Sequence, residues 1–354
     1  MNKTYLVTGG AGFIGSNFII YMLNKYSDVN IINVDFLTYA GNLENLKSVE
    51  KNENYKFIKA DICDAEKIEE IFNENEIDYV VNFAAESHVD RSIKNPSIFV
   101  KTNVEGTLNL LNAAKKNWEE KDGVYKKGVK FLQVSTDEVY GSLGETGYFY
   151  ETTPLDPHSP YSASKTSADL IAKSYYDTFK FPVNITRCSN NYGPFQFPEK
   201  LIPLIITNAI SLKNLPVYGD GLQIRDWLYV KDHCKAIDLV INKGKVGEVY
   251  NIGGHNEKTN IEIVKIIINK LNKSFDGRIN ENLIKHVEDR KGHDRRYAIA
   301  PDKIKKELSW EPITMFEEGI EKTIEWYLKN DEWLKNVLSN GYLDYYNKMY
   351  KNLV

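Results

Sequence analysis

Tyr5-Leu6-Val7-Thr8 followed by Gly9-Gly10-Ala11-Gly12-Phe13-Ile14-Gly15 opens the chain with an apolar strand, a glycine turn and a helix reaching about Lys25. The glycines satisfy G-x-G-x-x-G through Gly10, Gly12 and Gly15, and G-x-x-G-x-x-G through Gly9, Gly12 and Gly15. Such a turn lets backbone approach a pyrophosphate, which the free N–H groups and partial positive charge of the helix N-terminus then attract. The motif alone is weak. Its context strengthens it: a strand before, a helix after, and Asp35 at the end of the next predicted strand (30–35), twenty residues past Gly15. The Asp35 carboxylate suits ribose hydroxyls and repels a 2′-phosphate, and the residues after it, Phe36 and Leu37, supply no arginine. NAD, not NADP, is the expected cofactor.

Working outward, β-branched or aromatic runs recur at 55–60, 78–84, 130–135 and 182–187, with helical patterns between most of them. This alternation predicts βαβ units and a parallel sheet covered on both faces, a Rossmann-type doubly wound α/β fold. Burial on both faces accounts for the near-continuous apolar run Val80-Val81-Asn82-Phe83-Ala84-Ala85. Beyond about residue 190 the rhythm changes. Prolines stand at 194, 198, 203 and 216, and the stretch 214–230 reads as turn-rich. Residues 1–190 are expected to form the NAD-binding domain and 191–354 mainly a smaller, interleaved substrate-binding domain, with the strand near 248–254 returning to the sheet. Helices are predicted over 260–272 and, as two patterns, over 302–330. Residues 117–130 read as a charged surface loop, and the tyrosines of the tail (Tyr342, Tyr345, Tyr346, Tyr350) as packing against the body or a partner.

Composition narrows the class. A chain of 354 residues, 42% hydrophobic and 27% charged, has room for a sizeable core. A net charge of −4 and a pI near 6.0 give nucleic-acid binding no electrostatic support. The first ten residues lack the basic and long apolar regions of a signal peptide, and no run approaches the length that spans a bilayer. Cys63, Cys188 and Cys234 form no C-x-x-C pair, which fits a cytoplasmic protein. The histidines show no metal-ligand spacing, so no metal is expected; His158 lies beside Pro157 in a predicted loop.

The chemistry is carried by two further stretches. Tyr161 and Lys165, four apart on a helix that starts after Pro160, share one face. A free phenol, with a pKa of about 10, is a poor base at neutral pH; a nearby ammonium and a positive nicotinamide ring both favour its phenolate. Upstream stands Thr136-Asp137-Glu138. Two carboxylates ~5 Å apart at an effective dielectric of ~20 repel by about 3 kcal/mol, which is roughly 2 pKa units. Together with burial, that leaves one proton on the pair near neutrality, providing an acid and a base. The residues alone do not say which is which. A simple alcohol dehydrogenase needs neither, so oxidation coupled to a further bond cleavage is expected.

Thr136-Asp137-Glu138-Val139-Tyr140-Gly141 with Tyr161-Ser162-Ala163-Ser164-Lys165 resembles the extended short-chain dehydrogenase/reductases that act on nucleotide sugars, and among them the 4,6-dehydratase group. The likeness covers nearly the whole chain, including 84–92, 187–194, Gly219-Asp220-Gly221, Arg225-Asp226-Trp227 and 250–254. It implies dTDP-glucose as substrate. Tyr161 would deprotonate the C4 hydroxyl, Glu138 take the C5 proton, Asp137 protonate the departing C6 hydroxyl, and Thr136 bond the C4 oxygen. The cofactor-binding set would be Gly9, Gly12, Phe13, Ile14, Gly15, Asp35, Asp61, Ile62, Ala84, Ala85, Thr102, Tyr161, Lys165 and Asn191. The substrate-binding set would be Ser87, Thr136, Asn190, Lys200, Leu201, Pro216, Tyr218, Arg225, Asn251, Arg290, His293 and Tyr297. Arg225 and Arg290 suit diphosphate oxygens, since guanidinium makes paired charge-assisted bonds. Asp61 has a competing reading as a helix cap before Ala65. Lys291 stands where the family usually has proline. The resemblance further implies a homodimer joined through helices near 97–116 and 160–179. The alternatives are a 4-epimerase of the same fold, a dehydratase of another nucleotide sugar, and a NAD-binding protein without catalysis.

Overall fold

In the computed structural model, residues 3–273 and 275–339 are described; the tyrosines of the tail lie outside them. The chain runs β1 (Lys3–Thr8), α1 (Phe13–Lys25), β2 (Val29–Asp35), β3 (Tyr55–Lys59), α2 (Ala65–Glu74), β4 (Tyr79–Asn82), α3 (Val89–Lys94), α4 (Pro96–Phe99) and α5 (Gly106–Trp118). A short hairpin of β5 (Glu119–Lys121) and β6 (Val124–Tyr125) leads to β7 (Lys130–Thr136), α6 (Pro160–Phe179), β8 (Val183–Cys188) and β9 (Asn190–Tyr192). Then come α7 (Leu201–Ile210), β10 (Leu215–Tyr218), β11 (Ile224–Tyr229), α8 (Val230–Lys243), β12 (Val249–Ile252), β13 (Glu257–Thr259) and α9 (Asn260–Asn272). The described chain ends with β14 (Ile284–Val287), α10 (Asp302–Leu308), α11 (Phe316–Lys329) and α12 (Asp331–Ser339).

Seven strands form one parallel sheet in the order β12-β8-β7-β4-β1-β2-β3. The order reverses between β1 and β4, and a doubly wound sheet opens its ligand crevice at that switch point. Apolar side chains cover both faces. Phe18, Ile19 and Met22 of α1 meet Ile237, Val240 and Ile241 of α8 on one side. Ile68 and Ile71 of α2, Leu110 and Leu111 of α5, and Ala172 and Tyr175 of α6 form the other. A third core, with Trp227, Ile263, Phe316 and Tyr327, belongs to the later residues. The strand expected near 248–254 pairs with β8 in the main sheet, and α8 covers that sheet as well.

Two local expectations are corrected. The stretch 214–230, read as turn-rich, holds β10 and β11. Its glycines and Pro216 suggested turns, but β11 gains partners on both sides, β9 in parallel and β13 in antiparallel register. The 117–130 segment is a two-stranded hairpin, and its last residues turn inward: Val129 and Lys130 are buried. The Lys130 ammonium donates to the carbonyls of Val240 (3.4 Å) and Gly244 (2.8 Å), capping the end of α8.

Candidate active site

The glycine turn closes against the sheet by steric necessity. Gly9 has φ +67°, and a Cβ there would lie 2.6 Å from the Ala84 nitrogen. A Cβ on Gly10 would strike the Asn33 side chain, and one on Gly15 the Gly9 carbonyl. Gly9, Gly12 and Gly15 line a cavity of about 430 Å³, whereas Gly10 does not. Of the two registers, the G-x-x-G-x-x-G one therefore faces the cavity, and Gly10 serves packing. Among the described residues no side chain caps the N-terminus of α1, so its first N–H groups are open to a ligand. Asp35 ends β2 on the cavity wall, its two oxygens accepting the Ala11 and Leu37 N–H groups at 2.9 and 2.8 Å. A dinucleotide fits these features: a glycine cradle, an uncapped helix end and a carboxylate one strand away.

The other predicted cofactor residues, Phe13, Ile14, Asp61, Ile62, Ala84, Ala85, Thr102, Tyr161, Lys165 and Asn191, line the same cavity. Asp64, not Asp61, caps α2, by accepting from the Lys67 N–H; Asp61 accepts from Cys63. Asn191 is oriented from behind by His233, whose Nδ1 lies 2.9 Å from its amide oxygen. Burial lowers the His233 pKa to about 3, so that imidazole is neutral.

Ser159 caps α6 in a reciprocal box with Ser162, and Pro160 takes the first helical position, which sets where Tyr161 falls. One turn on, Lys165 Nζ donates to the Val134 carbonyl at 2.8 Å, fixing the pair to β7. Burial first, then the negative charge of Glu138, hold the Tyr161 phenol well above its ordinary range. Lys165 is itself lowered by burial. The push toward phenolate expected from Lys165 is thus outweighed in the protein alone, leaving it to a positive group brought by the ligand.

β7 ends in Thr136, which caps a single 3₁₀ turn, Asp137–Tyr140. The Thr136 hydroxyl accepts from the Glu138 N–H (3.3 Å) and donates to Asp137 Oδ1 (3.2 Å). Asp137 is 1% exposed, and its Oδ2 has no hydrogen-bond partner among the described residues. Burial, then the charge of Glu138, push the Asp137 carboxyl well up. Glu138 is also raised by burial, but Arg225, Lys200 and Arg290 pull it back down. The two adjacent acids are therefore separated by environment. The Asp137 environment favours its protonated form, and Glu138 has cations at hand to support its anion.

Glu138, Asn190, Asn191, Gln196, Glu199 and Lys200 also line a second chamber, so the two spaces meet at Glu138. Leu201, Pro216, Tyr218, Arg225, Arg290, His293 and Tyr297 line the second chamber; Ser87 and Thr136 face the first. Asn251 faces neither. It is fully buried on β12, accepting from the Tyr140 hydroxyl (2.8 Å) and donating to the Phe149 carbonyl (3.2 Å). Its place in the quoted Tyr250-Asn251-Ile252 strand gave no sign that the side chain points into the body. Arg290 is held by Asp90 through two bonds, 2.6 and 2.9 Å. From the sequence Glu199 has no role, and Asp90 enters only within the 84–92 stretch. Glu199 accepts from Tyr39 (3.0 Å) and pairs with Arg91 (3.5 Å), whose guanidinium stacks 3.5 Å over the Tyr39 ring. For Glu199 the one sequence signal is adjacency to Lys200. Among the described residues, no group of three His, Cys, Asp or Glu side chains could hold a metal.

The doubly wound sheet with Tyr161, Lys165 and the acid pair at its crevice defines an extended short-chain dehydrogenase/reductase. A family model described as GDP-mannose 4,6 dehydratase matches residues 6–323. A dTDP-glucose 4,6-dehydratase of Xanthomonas campestris pv. campestris (strain B100) is 52% identical over 342 residues, 96% of this chain and 97% of its own. A crystal structure of the dTDP-glucose 4,6-dehydratase of Bacillus anthracis, in complex with NAD, superposes with a TM-score of 0.85 at 54% identity, covering 95% of this chain and 99% of that one. A UDP-glucose 4-epimerase of Thermotoga maritima reaches a TM-score of 0.81 at 31% identity, covering 92% and 99%. The chain belongs to the dTDP-glucose 4,6-dehydratase family.

Proposed function

We propose that the protein converts dTDP-glucose into dTDP-4-keto-6-deoxyglucose by oxidation at C4, elimination of water across C5 and C6, and reduction at C6. The observation that carries this reading is the divided acid pair beside Tyr161, since an epimerase of the same fold needs no second acid and base. NAD, when bound, takes the hydride from C4 and returns it to C6. Gly9, Gly12, Gly15 and the α1 N-terminus would hold its pyrophosphate, and Asp35 its ribose.

Tyr161 takes the proton of the C4 hydroxyl. The 4-ketone acidifies C5, and Glu138 removes that proton. Asp137, kept protonated by burial and by its neighbour, gives its proton to the departing C6 hydroxyl, which leaves as water. Glu138 returns a proton to C5 as C6 is reduced. At the end of the cycle Tyr161 has gained one proton and Asp137 has lost one. Thr136, which donates to Asp137 and is a hydrogen-bonding neighbour of the Tyr161 phenol, is the hydroxyl placed to carry it back. Arg225, Arg290 and Lys200 offer positive charge to the diphosphate and sugar.

The protein works as a cytoplasmic homodimer joined through the helices near 97–116 and 160–179. The exposed Ile98, Val100, Leu170 and Phe179 support that face as the interface, and the free Cys63, Cys188 and Cys234 support a reducing compartment. Among the described residues no helix is long and apolar enough to cross a membrane.

The test is incubation with dTDP-glucose, following product mass. Loss of one water without net NADH accumulation is expected. An unchanged mass with appearance of dTDP-galactose makes the protein an epimerase, and a panel of UDP-, CDP- and GDP-sugars checks the base.

A further inference from the structure

His158 has no part in the chemistry above, yet it is wired to the second chamber. It stands three residues before Tyr161, and its side chain is 42% exposed. Its Nδ1 lies 2.5 Å from Asp294 Oδ1, and its Nε2 is 3.5 Å from Asp156 Oδ2. Asp294 is buried and fully engaged. Its Oδ2 accepts the Tyr297 hydroxyl at 2.6 Å, and its backbone carbonyl accepts Arg225 Nη2 at 3.0 Å. The Arg225 guanidinium lies 4.2 Å over the Tyr297 ring. Arg225, Asp294 and Tyr297 all line the chamber that Glu138 shares. A surface imidazole is thus joined, through one buried aspartate, to two wall groups facing the ligand space: Tyr297 through its carboxylate and Arg225 through its backbone carbonyl. The backbone is close too: a Cβ on Gly292 would come within 3.2 Å of the His158 carbonyl.

We propose that His158 is a positioning residue for nucleotide-sugar binding: as imidazolium it pins Asp294, and through Asp294 it sets Tyr297 and Arg225 against the ligand. This rests on the second chamber being the nucleotide-sugar site. The charged groups facing His158 are both carboxylates, Asp294 from the opposite segment and Asp156 from its own. The Asp294 hydrogen bond, ahead of the opposing effect of burial, raises the proton affinity of His158. The neighbouring His293 pairs with Asp289 and is lowered by burial, the opposite direction to His158. The sign follows. Below the raised His158 pKa the lock is charged and closed; as pH rises through that value, above the ordinary value of about 6.5, the charge-assisted bond is lost and binding weakens.

The experiment measures equilibrium binding of dTDP-xylose to the NAD-loaded protein between about pH 6 and 9. This probe lacks the C6 hydroxyl, so it cannot lose water there, and its diphosphate diester does not titrate in this range. The wild-type Kd should rise about tenfold across the range, the value of exchanging a charged for a neutral hydrogen bond. His158→Asn should bind weakly and independently of pH. His158→Lys and His158→Arg, carrying permanent charge, should bind tightly up to the alkaline end, and kcat at saturating dTDP-glucose should stay within about threefold for all of them. A flat profile for a wild type that binds overturns the lock, as does His158→Asn with the wild-type profile, or both cationic variants behaving like Asn. Absence of dTDP-xylose binding by the wild type at every pH overturns the reading of the chamber, and the lock with it.

Discussion

The two chambers that meet at Glu138 are built by opposite means. The cofactor side is largely backbone: the turn's Gly9, Gly12 and Gly15 on the wall, a helix end that no described side chain caps, and Asp35 spending both oxygens on the N–H groups of Ala11 and Leu37. The substrate side is walled by charge. Arg290 is answered by Asp90, Arg225 leans on Tyr297 and the Asp294 carbonyl, and Lys200 donates to the Ser87 carbonyl. A backbone cradle is specified by a few adjacent residues and leaves little room for added carbon. A charged wall is assembled from distant residues, so its members can be removed one at a time with graded effects.

The sharpest test lies where the chambers join. Glu138→Gln should lower turnover by about a thousandfold, within the usual range for losing a general base. Oxidation at C4 should persist, seen as a transient absorbance of bound NADH, while the C5 proton stops exchanging with solvent. Normal C5 exchange in this variant would remove Glu138 from the base role. On the cofactor side, Gly9→Ala should cost about 2–4 kcal/mol in urea unfolding, because φ is positive and Ala84 stands in the way. Gly12→Ala meets only the Gly9 carbonyl, at 3.2 Å. It should cost no more than about 1 kcal/mol of stability and yet weaken NAD binding tenfold or more. Equal losses of stability in the two variants would break the distinction between a glycine hemmed in by the sheet and one with room for a Cβ beside it.

On the substrate side, Arg290→Ala strands the buried Asp90 and should raise the KM for dTDP-glucose by about 30-fold, with a smaller change in kcat. Adding Asp90→Asn should recover part of that loss; strict additivity of the two would mean the pair is uncoupled. The smallest effect belongs to the sheet that carries both chambers. Burial lowers the Lys130 pKa from 10.5 to about 8. Between those values the unfolded chain binds the proton more tightly, so stability should rise with pH across that window. Lys130→Met should flatten the rise, as followed by Tm; an unchanged slope would mean that the two carbonyl bonds of Lys130 already compensate its burial.

The same contrast explains what was legible. The glycine turn, Asp35, Tyr161, Lys165 and the strands of the sheet could be read because neighbours in sequence define them. The roles within Asp137 and Glu138 could not, because what separates them is the arrival of Lys200, Arg225 and Arg290 from far along the chain. Asp90 and Glu199 carry no individual role in the sequence for the same reason, since each acts through a partner on another element. Asn251 was misplaced because a strand's period tells that side chains alternate, not which face meets the cavity. β10 and β11 hid behind Pro216 and two glycines, and only pairing with β14, β9 and β13 makes them strands.

The last strand of the main sheet, β12, pairs with β8 some sixty residues after β8 has been made. During synthesis, then, everything up to β8 can emerge while one side of the sheet still offers unpaired N–H and C=O groups to any passing chain. The α8 helix that covers Phe18 and Met22 is also still to come. A fragment ending near residue 190 would be a sticky intermediate, and the nascent protein passes through that stage every time it is made. Part of the second chamber's wall, with Lys200, Tyr218 and Arg225, is therefore threaded between two strands of the main sheet, and neither half can be finished without the other.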